Sequence, residues 1–577
     1  MKKFSILLIL GAALSGIVSC DLTTVPEDSI TPDRYFNSAV SLEQWLNNCY
    51  TQFDGYSIME IEADDMLDQG FTAFFSGSRL PSTESWSWSM LRRINYFLEH
   101  SDICPDKEAV AYYNALAKFH RAYFYFEKVK RYGDIMWYDK VIGSTDNDLL
   151  YKARDDRGFV VDKMLEDLDE AIAGLAGTPK NERSTNVTEW VALALKARIT
   201  LFEGTFRKYR GMADADKYLE ACADACDKII RSGRFSLYNT GDTPYRDIFS
   251  MDPVPAGETI LARSYNAGLN FYHSFTRDML GTRTGLTWRF VTHYLTKTGD
   301  RITDLPGYNS QSFAESFNNR DPRMAQTIWG PGARDYTGHN LSEAFNMTAL
   351  TGYYPLKFQT DVVNNTNRDE DIMLIRYPEI LLAYAEAKAE LGQLEQDDVE
   401  VSINVIRERA GMPKFNKDYA KSNPDELLSG YYPNVKLIHP SDYGLILEIR
   451  RERTVELVME GHRQWDLIRW KEGPAIDNSK NPFYGVYLGG PGIFDLDGDG
   501  IKDFEIYTTA KSGTVSKTFK LDEEIFLSDD GHVIAFKDNR FVFDENRDYL
   551  WPIPAAQRAL CGGVLTQNPG WDDGLTF

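Results

Sequence analysis

The chain has 577 residues, 43% hydrophobic and 26% charged, the balance of a folded protein large enough for more than one core. Its formal net charge of -23 excludes a nucleic-acid partner, whose phosphates call for a basic surface, and a polybasic dock on anionic lipid. Aromatic side chains make up 13% of the sequence; most are expected to fill helix interfaces, and the rest suit flat recognition surfaces.

Residues 1–19 read as a secretory signal: two lysines, an apolar run, then small residues, too short to span a bilayer. Ile17-Val18-Ser19-Cys20 resembles a bacterial lipobox, in which the thiol of Cys20 takes a diacylglycerol and becomes the first mature residue. The expectation is an exported body tethered to the membrane by several acyl chains. The other five cysteines, Cys49, Cys104, Cys222, Cys226 and Cys561, are odd in number and scattered, so they do not form a disulfide framework. Cys222 and Cys226 stand four apart on one helix face without His or Cys neighbours, and read as small buried apolar residues.

Residues 20–240 carry the helical period. Residues 41–53 form a first short helix. From Lys107, Tyr112, Leu116, Phe119, Tyr123, Phe126 and Val129 recur at spacings of three and four until Gly133 ends the run. Further helices follow in DKMLEDLDEAIAGL, VTEWVALALKARITLFEGTF and DKYLEACADACDKIIRSG. Small residues at the crossings suggest tetratricopeptide-type stacking, although the repeat period is degenerate. The second region, 241–577, opens with Gly-, Pro- and Asn-rich loops to about residue 365, long irregular segments of the kind that carry function. Helices return in IMLIRYPEILLAYAEAKAELG and VSINVIRERAGM, and 481–550 turns strand-like in FEIYTTA, VSKTFKL and RFVFD.

The motifs RAYFYFEKVKRYGDI, ALKARITLFEG, NNRDPRM, TGYYPLKF, IRYPEILLAYAEAKAELG, RRERTVELVMEGHRQWDLIRW and YLWPIPAAQRALCGGVLTQNPGW follow one another in the order of the SusD/RagB family of outer-membrane lipoproteins, which the chain resembles from end to end. The resemblance implies a mainly α fold: a tetratricopeptide-like helical scaffold with long loops and small β-hairpin insertions in the C-terminal half. It also implies a lipid-anchored place on the cell surface of a Gram-negative outer membrane, glycan capture, and a SusC-like TonB-dependent transporter over which the protein forms a lid. Peptide capture, as in the RagB-like branch, is the alternative within the family. A surface glycan hydrolase is the alternative of another class, but HExxH, GxSxG, Walker and CxxC motifs are lacking, and binding without catalysis is expected.

Three places could carry chemistry. In VMEGHRQWDLIRW, Glu460, His462, Arg463, Asp466 and Arg469 have the ingredients of an active site. Residues 444–471 read as one helix with His462 on its apolar stripe. Arg453–Glu456, Glu460–Arg463, Arg463–Asp466 and Asp466–Arg469, each three apart, then form a structural ionic ladder. In FDLDGDGIKDFE, Asp495, Asp497, Asp499, the Ile501 carbonyl and Asp503 match the first half of an EF-hand-type loop. The twelfth place is Ile506, so the bidentate Glu is missing; one structural Ca²⁺ is the expected cofactor. Sugars offer C–H faces to rings, so the glycan contacts are expected in aromatic loops, at Trp86, Trp88, Tyr272 and Trp288. The resemblance points to the loops around residues 60–90 and to the middle segment.

Overall fold

A computed structural model describes residues 31–53, 55, 62–82, 86–177, 184–339, 349–477 and 483–577; the signal segment and Cys20 lie outside them. The helices that position the site are α1 (Ala39–Asn47), α2 (Ser89–His100), α3 (Lys107–Tyr132), α4 (Arg157–Leu175), α5 (Glu189–Lys208), α6 (Ala215–Arg231), α7 (Tyr377–Glu390), α8 (Ile403–Ala410), α9 (Tyr443–Glu456) and α10 (Arg463–Arg469). α1, α3, α4 and α5 start where a side chain accepts from a free N–H group. Ser38 and Ser41 build a capping box on α1, and Asp106 accepts from the Ala109 N–H on α3, which ends at Gly133 with φ 70°.

The helices pack in series: α3 on α4, α4 on α5, α5 on α6, α6 on α7, and α7 on α9. This serial stacking is the tetratricopeptide-like scaffold. Close approach at the crossings depends on small residues. A Cβ at Gly204 of α5 would lie 2.7 Å from Leu219 Cγ of α6, and one at Gly174 of α4 would lie 2.6 Å from Ala115 Cβ of α3. Cys222 and Cys226 are buried free thiols, with Cys222 Sγ facing the Ala383 carbonyl of α7.

The loops of the second region enclose a second core around Tyr294, Trp329, Tyr353 and Met324. Small sheets frame it. β1 (Thr259–Arg263) pairs antiparallel with β2 (Ile372–Arg376), and β3 (Tyr484–Tyr487) with β7 (His532–Ile534). β4 (Gly492–Phe494), β5 (Phe504–Tyr507) and β6 (Thr518–Lys520) form one sheet, antiparallel then parallel. The segment RFVFD is not a strand. Phe541 and Phe543 are buried in the helical core, but the neighbouring chain offers only one backbone bond, from the Val542 N–H to the Phe75 carbonyl at 2.8 Å.

The expected single helix over 444–471 is broken. α9 stops at Glu456, Met459 and Gly461 take positive φ (61° and 75°), and α10 begins at Arg463. Gly461 makes the left-handed turn without the steric penalty a Cβ would bring. The charges do not form the expected ladder. Only Asp466 and Arg469 form the expected intrahelical pair, at 2.9 Å. Arg463 reaches Asp64 at 2.7 Å, Arg453 reaches Asp466 at 2.8 Å, and Glu460 takes Arg376 at 2.6 Å and Lys357 at 2.7 Å. Glu456 holds Arg376, Arg323 and Arg409. The charges therefore form a tertiary lock: Arg453 and Glu456 share α9, and Arg463 and Asp466 share α10, yet Arg453, Glu456 and Arg463 take their partners from other segments.

Candidate functional site

α3, α5, α7 and the α9–α10 break surround a cleft of about 520 Å³. Its apolar wall comes from the helical stripes, with Phe119, Tyr123 and Phe126 on α3, Phe202 on α5 and Trp465 on α10. Its carboxylates are each held by a cation. Arg198 grips Glu379 through two bonds of 2.7 and 2.6 Å, and Lys130 sits 2.8 Å from Glu127. Arg453 donates from Nε to Asp466, while its buried Nη1 has no partner. His462 is not on a sealed apolar face, as the sequence suggested. The left-handed turn at Gly461 brings its ring to the cleft wall, 13% exposed and 3.8 Å from Glu379. Burial pushes its pKa down to about 4, so the imidazole is neutral at physiological pH.

Trp86 and Trp88 lie together, their rings 5.7 Å apart and edge to face. Trp88 stands at the N-cap of α2 with φ -119° and ψ 6°, so the chain is not extended there and the two indoles do not simply face one way as the two-residue spacing suggested. Each is half-buried. Trp86 packs edge-on against Tyr132 at 4.8 Å, and Trp88 contacts Phe124 and Tyr138. Between them sits Lys128, its Nζ 5.6–5.8 Å from the ring centres of Trp86, Trp88, Phe124 and Tyr132. Lys128 and Tyr132 also line the cleft, so the indole pair borders its end. Burial, then the nearby Arg131, lowers the Lys128 pKa to about 8. Lys128 was missed in the sequence; its signal is the spacing of Phe124, Lys128 and Tyr132, four apart on one face of α3.

The other predicted aromatics lie elsewhere. Trp288 is only 9% exposed and belongs to the second core. Tyr353 and Tyr308 stack at 6.2 and 6.5 Å from it, and His532 closes in at 5.2 Å. It offers no open face to a sugar, because the Leu286 N–H bond to the Tyr353 carbonyl draws the two aromatic segments together. Tyr272 is 43% exposed, beside Phe271, and does not line the cleft.

The aspartate loop joins antiparallel β4 and β5. Carboxylate oxygens of Asp495, Asp497 and Asp503 lie within 4.8 Å of one another. Backbone N–H groups shape the turn: those of Gly498 and Gly500 donate to Asp495, and that of Leu496 to Asp503. Burial, with repulsion among the carboxylates, raises the pKa of Asp497 and Asp503. Asp499 is outside this group, contrary to expectation, and its Oδ1 accepts from the Ile501 N–H at 2.7 Å. The Ile501 side chain is exposed.

Comparison with known proteins places this architecture. The profile of the SusD family matches residues 258–571, more than half of the chain. The SusD-like protein P38 of Formosa agariphila is 24% identical over 522 residues, covering 82% of this chain and 93% of the relative. A solved SusD-like protein from Bacteroides fragilis superposes with a TM-score of 0.67 at 20% identity, covering 95% of this chain and all of that one. A second from the same organism, described as a SusD-like carbohydrate binding protein, also reaches 0.67, at 19% identity over 92% of this chain and 99% of that one. On the strength of the profile match, this chain is a member of the SusD family.

Proposed function

We propose that the protein is a cell-surface binder of oligosaccharide, anchored through a lipid on Cys20, which delivers its ligand to a SusC-like TonB-dependent transporter and acts as that transporter's lid. The observation that carries the binding role is the edge-to-face pair Trp86–Trp88, two partly buried indoles beside Lys128 and Tyr132 of the cleft wall, which supply a ring surface for sugar C–H faces. Its role is binding without turnover, since the cleft carboxylates Glu127, Glu379, Glu460 and Asp466 are each engaged by a cation. Among the described residues no helix is long and apolar enough to cross a membrane, which accords with a lipid anchor as the tether. A Ca²⁺ held by Asp495, Asp497 and Asp503 has a structural role in this reading, fixing the β4–β5 loop.

Calorimetric titration with a panel of oligosaccharides and peptides tests the function. Oligosaccharide should bind, and the double substitution Trp86→Ala/Trp88→Ala should weaken it about tenfold or more. Unchanged affinity in the folded double variant would refute the placement, and preference for peptides would move the protein to the RagB-like reading.

A further inference from the structure

We infer that the cleft receives the acidic group of a carboxylate-bearing oligosaccharide, held by Arg131, Lys128 and Arg453. This rests on the oligosaccharide reading above and narrows it to acidic sugars.

The asymmetry of the cleft charges carries the inference. In a chain of net charge -23, anions should be in surplus. Yet every cleft carboxylate is already engaged: Glu127 by Lys130, Glu379 by Arg198, Glu460 by Arg376, and Asp466 by Arg453 and Arg469. The groups with donors left over are cations. Arg453 is 5% exposed, lines the cleft and donates through Nε, leaving Nη1 without a partner. The Lys128 ammonium faces four aromatic rings. Arg131 is exposed, three residues along α3 and on the same face. Burial first, and then repulsion from Arg131 one helix turn away, lower the Lys128 pKa, and a carboxylate placed between the two cations removes that repulsion.

The remaining chemistry suits a sugar acid. A guanidinium presents parallel N–H groups to a carboxylate. The neutral His462 ring, at the cleft wall, can exchange a hydrogen bond with a sugar hydroxyl. The volume of about 520 Å³ falls within the roughly 300–1,000 Å³ usual for ligand clefts.

The test is calorimetric titration of the intact protein with galacturonate, glucuronate and mannuronate oligomers, their neutral counterparts, and an acidic peptide. At least one oligouronate should bind about tenfold or more tightly than its neutral counterpart, and 0.5 M NaCl should erode that advantage. Arg131→Glu, on the surface, should lower the oligouronate affinity by a similar factor. The salt series on the unmodified protein gives a second readout that requires no variant. Neutral sugars binding as tightly as acidic ones, or an affinity indifferent to both salt and Arg131→Glu, overturns the acidic preference alone. Absence of binding by any sugar overturns the oligosaccharide reading as well, and preference for the acidic peptide replaces both with peptide capture.

Discussion

Glu456 is fully buried and holds three guanidiniums: Arg376 at 2.7 Å, Arg323 at 3.1 Å, and Arg409. It sits in a closed set in which Arg323, Lys357, Arg376, Arg407 and Arg409 face Glu258, Asp321, Glu452, Glu456 and Glu460. Glu456→Gln keeps the volume and removes one negative charge, leaving one buried positive charge uncompensated. Removing one partner of a buried pair costs about 3–5 kcal/mol. Each arginine keeps another carboxylate: Arg376 has Glu258 and Glu460, Arg409 has Glu258, and Arg323 has Asp321 and Glu452. The lower end, about 3 kcal/mol, is therefore expected. Urea unfolding followed by circular dichroism should show it as a lower midpoint with an unchanged slope. The guanidiniums beside Glu456 hold its pKa well below the usual carboxylate range, against the opposing effect of burial. A depressed carboxylate contributes stability above its unfolded value, here 4.5, and that contribution is lost as pH falls through the folded value. The advantage of the native protein over Glu456→Gln should persist from neutral pH to about 4.5 and shrink below it. A cost under about 1 kcal/mol at pH 7 would refute the reasoning, because it would mean the network relaxes without Glu456.

Asp65 is buried beside Asp64, which is committed to Arg463, and burial with that neighbouring charge pushes its carboxyl up to about 7 from 3.8. A raised carboxyl costs stability as pH rises between those values. Asp65→Asn should therefore gain on the native protein from about pH 4 to 7, by at most about 1.4 kcal/mol per pH unit, whereas parallel stability curves would discount the burial. Trp288→Ala should cost about 3–5 kcal/mol of stability while the folded fraction binds oligosaccharide with native affinity; selective loss of binding would return Trp288 to the ligand site. Added Ca²⁺ should raise the melting temperature and a chelator should lower it, with Asp497→Asn abolishing the response. Identical melts would remove the ion from the aspartate loop.

The stacked helices were legible because their information is local. The stripe from Tyr112 to Val129 and the cap at Gly133 need no knowledge of the rest of the chain, and α3 runs from Lys107 to Tyr132 as the periodicity predicts. The family motifs were legible for the same reason, each being a contiguous run. Strand segments were read less well. RFVFD has the right alternation, but a strand also needs a partner in register, and the backbone beside Val542 is a loop.

What the sequence determined alone was the apolar periodicity, the turn at Gly133 and the excess of acidic residues. The tertiary structure decided which charges meet and which rings stay open. Arg463 pairs with Asp64, 399 residues away, in place of Glu460 or Asp466 a turn distant, because tertiary packing brings the Asp64 carboxylate against α10. Trp86 and Trp288 are equal as letters, yet one borders a cleft and the other is enclosed by Tyr353, Tyr308 and His532. Helix formation follows from contacts within four residues, whereas exposure and ion pairing follow from segments brought together by packing, which a local pattern does not encode.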